Sequence, residues 1–422
     1  MTDSLIDIYN SAIGACSAYN CVLNYVDYVS RVYFEGGFKR LYVVGFGKGA
    51  YGMALAASQS LNDIIISGVA VTKYGHSESR TAGKIRILEA GHPVPDENGV
   101  SGTAEIIELV KDASADTLIL CLISGGGSAL FVSPSDGVSL SIKQEITELL
   151  LKSGCDINEL NAVRKQLSKV KGGGFAALAY PAKILSLIIS DVPGNRLDVI
   201  ASGPTTLSTT GSREAIDVLT KYGLMNKLSP NIVEIINKGT GQRPVNVETI
   251  IIADLSQALN AAHARALELG FDAEIITDNI SGDVKDAAKW LSNEIKMNNK
   301  LLISGGETTV TVTGEGRGGR NMELALRFAL EIEGKQGITM LSAGTDGTDG
   351  PTDAAGAIVD GSTIATGRAE GLDAHEYLIN NDSYTYFERS GGLFKPGPTG
   401  TNVMDIQLMS WARDDNPTSA GI

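Results

Sequence analysis

Short apolar runs that end in clustered glycines and then pass into helices are what most constrain this chain. "RLYVVGFGKGAYGMALAA" (40–57) and "TLILCLISGGGSAL" (117–130) both have this form, and "LLISGGETTV" (301–310) shares the first half of it. Each apolar run is too short for a buried helix and too uniformly apolar for a half-exposed strand. That is the pattern of a strand covered on both faces. Glycine follows where the backbone must turn sharply, and small residues then open a helix. Further runs, "DIIISGVAVT", "KIRILEA", "AKILSLIIS", "VETIIIAD", "FDAEIIT" and "GITMLSAG", alternate with helical stretches such as "NGVSGTAEIIELVKD" and "LSQALNAAHARALELG". Strands alternating with helices predict an α/β protein with largely parallel sheets.

The chain of 422 residues is long enough for two or three domains. Residues 4–36 read as helical. The strand–helix pattern restarts after about residue 205, so we expect two α/β domains. The larger covers 1–229 and is completed by 399–422, with "NVMDIQLMSWA" returning as a strand; the smaller covers 230–398. Ligands of open parallel sheets bind beyond the carboxyl ends of the strands. Two sheets with glycine turns at those ends therefore predict an active-site cleft between two domains.

A net charge of -14 argues against nucleic acid as a partner. The cysteines (Cys16, Cys21, Cys121, Cys155) form no CxxC pair and only four histidines accompany them, so a structural zinc site is not expected. The start, "MTDSLIDIYNSAIGAC", lacks the features of a secretory leader, and no apolar run approaches 18 residues. Together these predict a cytoplasmic protein with reduced thiols and no membrane association.

Candidate chemistry lies at the glycine turns. "GFGKGA" meets the loose dinucleotide pattern through Gly45, Gly47 and Ala50, but the next strand ends "VAVTKYGH", without the acidic residue that would hold a ribose. Lys48, inside the turn, instead offers a positive charge to a phosphate. In "SGGGSA", Ser124, Gly125, Gly126, Gly127 and Ser128 offer backbone donors to an anion; GxSxG, the signature of a nucleophilic serine, is not matched. "NAVRKQLSKVKGGG" gathers Asn161, Arg164, Lys165, Lys169 and Lys171 near one helix end, where the helix dipole alone accounts for part of the basic charge. "ISDVPGN" places Asp191 after a strand, suited to Mg²⁺ or to a proton, with Asn195 close behind. "ETTVTVTGEGRGGRNMELAL" supplies Glu307, Arg320, Asn321 and Glu323; a cation at a helix start, as Arg320 is, makes sense if an anion shares the site. Of Asp346, Asp349 and Asp353 in "SAGTDGTDGPTDAAGA", Asp346 is a candidate metal ligand, with Asx-turn chemistry as the plainer alternative.

Nine stretches in order, from "VVGFGKGAYGMA" and "GHPVPDENG" through "LISGGGSAL", "NAVRKQLSKVKGGGFA", "ISDVPGNRLDVIASGPT", "LISGGETTVTV", "GRGGRNMELAL" and "SAGTDGTDGPTDAAGA" to "NDSYTYFERSGGLFKPGPTGTNVMDIQL", resemble the glycerate 2-kinase family. They span about residues 42–408. The resemblance implies a Rossmann-like N-terminal domain, a C-terminal MOFRL domain, and phosphorylation of D-glycerate by ATP with Mg²⁺, most often to 2-phosphoglycerate. It also implies a homodimer. The family's prominent active-site lysine and arginine match Lys48 and Arg320. Relatives often carry Asp where this chain has Asn195. On this reading Gly47, Ser124 to Ser128, Lys171 and Asn195 hold the nucleotide, and Lys48, Arg320, Glu307 and Asn321 bind the substrate. Lys48, Arg320 and Asp191 are the catalytic set, and Asp191 and Asp346 hold the metal. Some relatives are labelled hydroxypyruvate reductases, so an NAD(P)H-dependent reductase is the competing enzyme; a non-catalytic sugar-acid or nucleotide sensor is a third reading.

Overall fold

The computed structural model describes residues 1–239, 245–297 and 300–411. The chain forms two compact units, one of Ser17–Ala253, the other of Met1–Cys16 with the chain from Asp254 onward.

The Ser17–Ala253 unit is built on seven strands: β1 (Arg40–Phe46), β2 (Ile65–Lys73), β3 (Thr81–Ala82), β4 (Ile85–Ala90), β5 (Thr117–Ile123), β6 (Lys183–Ile189) and β7 (Val247–Ala253). Their order is β3-β4-β2-β1-β5-β6-β7, parallel throughout except for the short β3 against β4. All seven residues of β5 are buried, which is why its sequence shows no polar alternation. Flanking helices have clear starts. Asp96 Oδ1 accepts from the Gly99 amide at 3.0 Å to open Glu97–Lys111, and Asp156 with Glu159 closes a capping box on Ile157–Gln166. A second core, around Ile146, Leu150, Val163, Leu219 and Ile236, binds the helices Leu140–Lys152, Ile157–Gln166, Ser212–Lys221 and Pro230–Lys238 into a bundle.

The other unit carries a six-stranded sheet of β8 (Ala273–Asp283), β9 (Leu301–Thr309), β10 (Ile338–Gly344), β11 (Gly356–Asp360), β12 (Leu393–Phe394) and β13 (Asp405–Trp411), in the order β12-β11-β10-β13-β9-β8. Here β8 and β9 are parallel and the remaining pairs antiparallel. The first helix, Thr2–Ala15, is fastened to this unit: the Tyr9 hydroxyl donates to the Gly344 carbonyl (2.7 Å), Asp7 pairs with Arg265 (2.7 Å), and Gln257 donates to the Ala15 carbonyl (2.7 Å). Among the described residues, no helix is long and apolar enough to cross a membrane.

Three expectations about the domains are corrected. The expected break at 229/230 lies instead at Ala253/Asp254, because β7 extends the first sheet by pairing with β6 from Ile184↔Val247 onward. The strand near the C-terminus does not return to the first unit: β13 inserts between β10 and β9 of the second sheet. The remainder of the expected 399–422 return, beyond Trp411, lies outside the described residues. The N-terminal helical region is split, with Thr2–Ala15 in one unit and the helices Ala18–Leu23 and Val26–Glu35 in the other. In each case the strand or helix itself is legible, while its sheet is chosen by long-range pairing that no local pattern encodes.

Candidate functional site

In the first sheet, β2 and β4 lie to one side of β1 and β5, β6 and β7 to the other. The strand order therefore reverses between β1 and β5, and the two glycine turns leave those strands side by side at the place where such sheets bind ligands. The turns are locked together. The Ser124 amide donates to the Phe46 carbonyl (3.1 Å), the Lys48 amide to the Gly125 carbonyl (2.8 Å), and the Gly49 amide to Ser124 Oγ (2.9 Å). Gly47 is required here: its φ is +124°, and a Cβ would stand 2.3 Å from Ser124 Oγ and 2.4 Å from the Ser124 carbonyl oxygen. Beneath the turns, Phe46 stacks on Phe131 (centroids 4.1 Å apart), and Phe175 meets Phe131 edge-on at 5.4 Å. This aromatic floor holds the turns rigid.

Three side chains border Gly126. A Cβ at this left-handed residue (φ +81°) would lie 3.0 Å from the His92 ring and 3.3 Å from Lys48 Cγ, and the Gly126 amide donates to Asp191 Oδ2 at 3.3 Å. Lys48, Asp191 and His92 are each half-buried. Lys48 and Asp191 were expected here; His92 was not singled out. The signal was its place just past the carboxyl end of β4, another parallel strand of the same sheet.

The glycines differ from expectation in one respect. Their amides were expected to cradle an anion, but Gly126 donates to Asp191 and Gly127 to the Ser124 carbonyl (3.3 Å). The Gly127 donor closes the turn, while the Gly126 donor is taken by a side chain from another strand end. The glycines also serve close approach: a Cβ on Gly127 would lie 2.9 Å from the Ala201 methyl.

A second layer lies behind "SGGGSA". Ser128 Oγ and Ser202 Oγ are 2.5 Å apart, Ser202 Oγ donates to Asn161 Oδ1 (3.2 Å), and Lys171 Nζ donates to the Ser128 carbonyl (2.7 Å). Asn195, Ala201 and Ser202 hold positive φ (55°, 50° and 63°). Such backbone costs of order 1–3 kcal/mol per residue and concentrates at functional sites. Lys171 is buried, and burial, followed by the charges of Arg164, Lys143 and Lys165, pushes its ammonium well below the usual lysine range.

In the other unit the expected residues gather around Arg320, the first residue of the helix Arg320–Glu331. Its Nε and Nη2 donate to the two oxygens of Asp405 (2.6 and 3.0 Å), and Nη1 donates to Glu307 Oε1 (2.6 Å). The β9–β13 register explains the pairing: Asp405 sits opposite Gly306, next to Glu307. Burial alone would lower the guanidinium pKa, but the charge and hydrogen bonds of Asp405, with Glu307 and Asp349, raise it above its ordinary value. The anion that a cation at this helix start called for is thus supplied by the protein's own carboxylates. Asp405 is the main residue missed: it is the first residue of its strand, and nothing in its own segment points to Arg320.

Asp349 is buried, accepts from the Met322 amide (2.8 Å), and is pushed up to about 7 by burial, with the charge of Asp405 adding to the rise. Gly319 makes room for it, since a Cβ there would lie 2.2 Å from the carboxyl carbon. Asn321 accepts from the Ser342 hydroxyl (2.8 Å), and its buried Nδ2 has no partner among the described residues. Asp346 Oδ1 accepts from the amide and hydroxyl of Thr348 (3.0 and 3.1 Å). This is the Asx-turn alternative to the metal role. Among the described residues, no group of three or more His, Cys, Asp or Glu side chains converges as a ready metal site. Magnesium characteristically needs only one or two protein carboxylates alongside substrate phosphates. On that donor chemistry Asp191 and Asp346 each offer a carboxylate with one oxygen already accepting, Asp191 from Gly126 and Asp346 within its own turn.

Chemically, the first unit presents a cation, a carboxylate and an imidazole around one rigid turn. The second presents one arginine encircled by acids.

Two family models match the chain in succession: a domain of unknown function (DUF4147) over residues 4–237 and the MOFRL family over 300–405. A D-glycerate 2-kinase of Thermotoga maritima is 48% identical over 87% of this chain and 89% of its own length. A protein of Agrobacterium vitis that carries a hydroxypyruvate reductase name is 41% identical over 88% of this chain and 99% of its own. The crystal structure of a glycerate kinase from Thermotoga maritima superposes with a TM-score of 0.86 at 44% identity, covering 97% of this chain and 99% of that one. With both halves matched in order and the fold reproduced over nearly the whole length, the chain belongs to the glycerate 2-kinase family.

Proposed function

We propose that this protein transfers the γ-phosphoryl group of ATP to D-glycerate, giving 2-phosphoglycerate and ADP. The observation that carries the reading is the convergence of Lys48, His92 and Asp191 on Gly126, beyond the strand ends where the sheet order reverses. Phosphoryl transfer asks an enzyme mainly for positioning and charge neutralisation, and a rigid turn with one cation and one carboxylate provides both.

In this mechanism Lys48 neutralises charge that develops on the transferring group. Asp191 is the carboxylate of the site, as proton acceptor for the attacking hydroxyl or as a ligand of Mg²⁺. Magnesium, when bound, would offset charge on the β- and γ-phosphate oxygens. Arg320 is held by the buried Asp405 on one side and by Glu307, whose side chain is 42% exposed, on the other. Glu307 is the partner that a glycerate carboxylate can displace, which leaves Arg320 fixed by Asp405 while it binds substrate. In the same reading Asn321 is a substrate contact of the second unit and Asn195 a nucleotide contact of the first. We further propose that the protein works in the cytoplasm as a homodimer.

The reductase reading has one specific observation against it. A nicotinamide dinucleotide would call for an acidic residue at the end of the strand beside β1; that strand, β2, ends Thr72-Lys73. The test is a pair of assays on the same preparation. ADP release that requires both D-glycerate and Mg²⁺, without NAD(P)H oxidation in the presence of hydroxypyruvate, supports the kinase. NAD(P)H oxidation without ADP release overturns it.

A further inference from the structure

Behind "SGGGSA" four basic side chains are packed into the first unit with little to balance them. Lys143, Lys165 and Lys171 are each no more than 3% exposed. Lys143 Nζ donates to the Leu167 carbonyl (3.1 Å), and Lys171 Nζ to the Ser128 carbonyl (2.7 Å). The buried Nε of Arg164 has no hydrogen-bond partner among the described residues. The one carboxylate within ion-pair distance of the four, among the described residues, is Asp198. It lies 4.0 Å from Lys165 and is shared with Arg196 at 3.0 Å. Buried cations are ordinarily paired, because an unpaired one costs several kcal/mol. A nest of this kind is built for an anion that arrives from outside.

The same segment adjoins a cavity of about 420 Å³ lined by Gln166, Lys169, Gly172, Gly173, Leu207 and Ile235, among others. Gln166 is 3% exposed, and its Oε1 has no partner among the described residues. A side-chain carbonyl left open there suits a ligand donor such as an exocyclic amino group. Nest and cavity are continuous in the chain: a Cβ on Gly172, which lines the cavity, would lie 3.4 Å from Lys165 Cδ.

We propose that the nucleotide binds along this path, its polyphosphate held by Arg164, Lys165, Lys171 and Lys143 and its base in the cavity beside Gln166. The proposal rests on the kinase reading for the identity of the nucleotide. Charge selects the ligand: a triphosphate carries enough negative charge to balance the nest, whereas glycerate carries a single charge. Lys171 holds the Ser128 carbonyl, so the phosphate chain runs from the nest past "SGGGSA" toward Lys48 and Asp191. The acids around Arg320 would repel a polyphosphate and leave that unit to the glycerate. Binding also takes up protons. Burial, and after it the charge of Arg164, pushes the Lys143 ammonium down to about 7, and burial and its basic neighbours hold Lys171 well below the usual lysine range, so a polyanion favours recharging both.

The test is isothermal titration of the full chain with inorganic tripolyphosphate, a non-hydrolysable ATP analogue and D-glycerate, in buffers of different ionisation enthalpy at pH 7.5. Wild type is expected to bind tripolyphosphate with net proton uptake. Arg164→Gln should weaken both tripolyphosphate and the ATP analogue by about tenfold or more and leave D-glycerate unchanged. Gln166→Leu should weaken the analogue alone. Lys165→Met serves as a second probe of the nest, because Asp198 keeps Arg196. It should weaken both phosphate ligands and raise the thermal midpoint of the ligand-free protein. Wild-type tripolyphosphate affinity in Arg164→Gln and Lys165→Met, no tripolyphosphate binding by wild type, or loss of glycerate binding in place of phosphate binding would overturn the proposal. None of these readouts needs turnover, so failure of the kinase reading alone would show as phosphate binding without glycerate phosphorylation.

Discussion

Substituting Gly47 by alanine tests the interlocked turns on which the candidate site stands. The residue holds φ at +124°, and the new Cβ would enter to 2.3 Å of Ser124 Oγ, 2.4 Å of the Ser124 carbonyl oxygen and 2.7 Å of its carbon. The hydroxyl can rotate away; the carbonyl cannot, because it belongs to the backbone leaving β5. Backbone strain contributes about 1–3 kcal/mol and overpacking of a rigid neighbour a further ~1–3 kcal/mol, so the variant should lose roughly 2–6 kcal/mol. Gly75→Ala separates the two contributions. Gly75 also has a positive φ (+74°), but nothing lies within 4 Å of its Cβ position, so it should lose only about 1–2 kcal/mol. Urea unfolding followed by far-ultraviolet circular dichroism gives both values. Tryptophan fluorescence would not serve, because both tryptophans, Trp290 and Trp411, lie in the other unit. If Gly47→Ala is no more destabilising than Gly75→Ala, the two turns do not press on one another as described.

Further outcomes follow from other residues. Lys48→Ala should keep the fold and lower glycerate-dependent ADP release by roughly 100-fold or more, as loss of one charge-stabilising group does; wild-type turnover would remove Lys48 from the mechanism. Arg320→Ala should lower turnover by a similar factor, and Glu307→Gln should lower it far less, since Asp405 still holds the guanidinium; equal losses in the two variants would refute a displaceable Glu307. Asp349 has its folded pKa raised from 3.8 to about 7, so wild-type stability should fall as pH rises from about 4 through 7, by at most on the order of 4 kcal/mol. Asp349→Asn should flatten that limb of the stability–pH curve, and an unchanged slope would show that Asp349 is not its source. Lys143, lowered from 10.5 to about 7, imposes its full cost below pH 7 and releases it as pH rises toward 10.5. Lys143→Met should therefore flatten the rise in stability across that window, measured by denaturant titration at each pH.

The turns at 45–50 and 124–129 were legible because strand, glycine and helix follow one another locally, each with its own composition signal. Lys48 and Asp191 were legible for the same reason, lying at the ends of strands that announce themselves. What the sequence did not show is partnership. Nothing near "NVMDIQL" indicates that Asp405 faces Gly306 and so grips Arg320, because that depends on an antiparallel pairing across some 100 residues. The same blindness put β7 and β13 in the wrong units. The basic helix end at 161–171 was visible as charge. That Arg164 would be left without a partner, and Lys171 fully buried against Ser128, depends on packing against segments far away in the chain. The partners of the Gly126 and Gly127 amides were hidden for a related reason: one is the Ser124 carbonyl of the turn itself, the other the Asp191 carboxylate, 65 residues away.

The central claim is tested most directly by identifying the product. Incubation of the protein with ATP, Mg²⁺ and D-glycerate, followed by phosphorus and proton nuclear magnetic resonance, should show ADP and a phosphate resonance coupled to the proton on carbon 2 of glycerate. Coupling to the carbon 3 protons would keep the kinase and contradict the assigned hydroxyl. No phosphorylated glycerate across the pH range in which the protein stays folded would contradict the account itself.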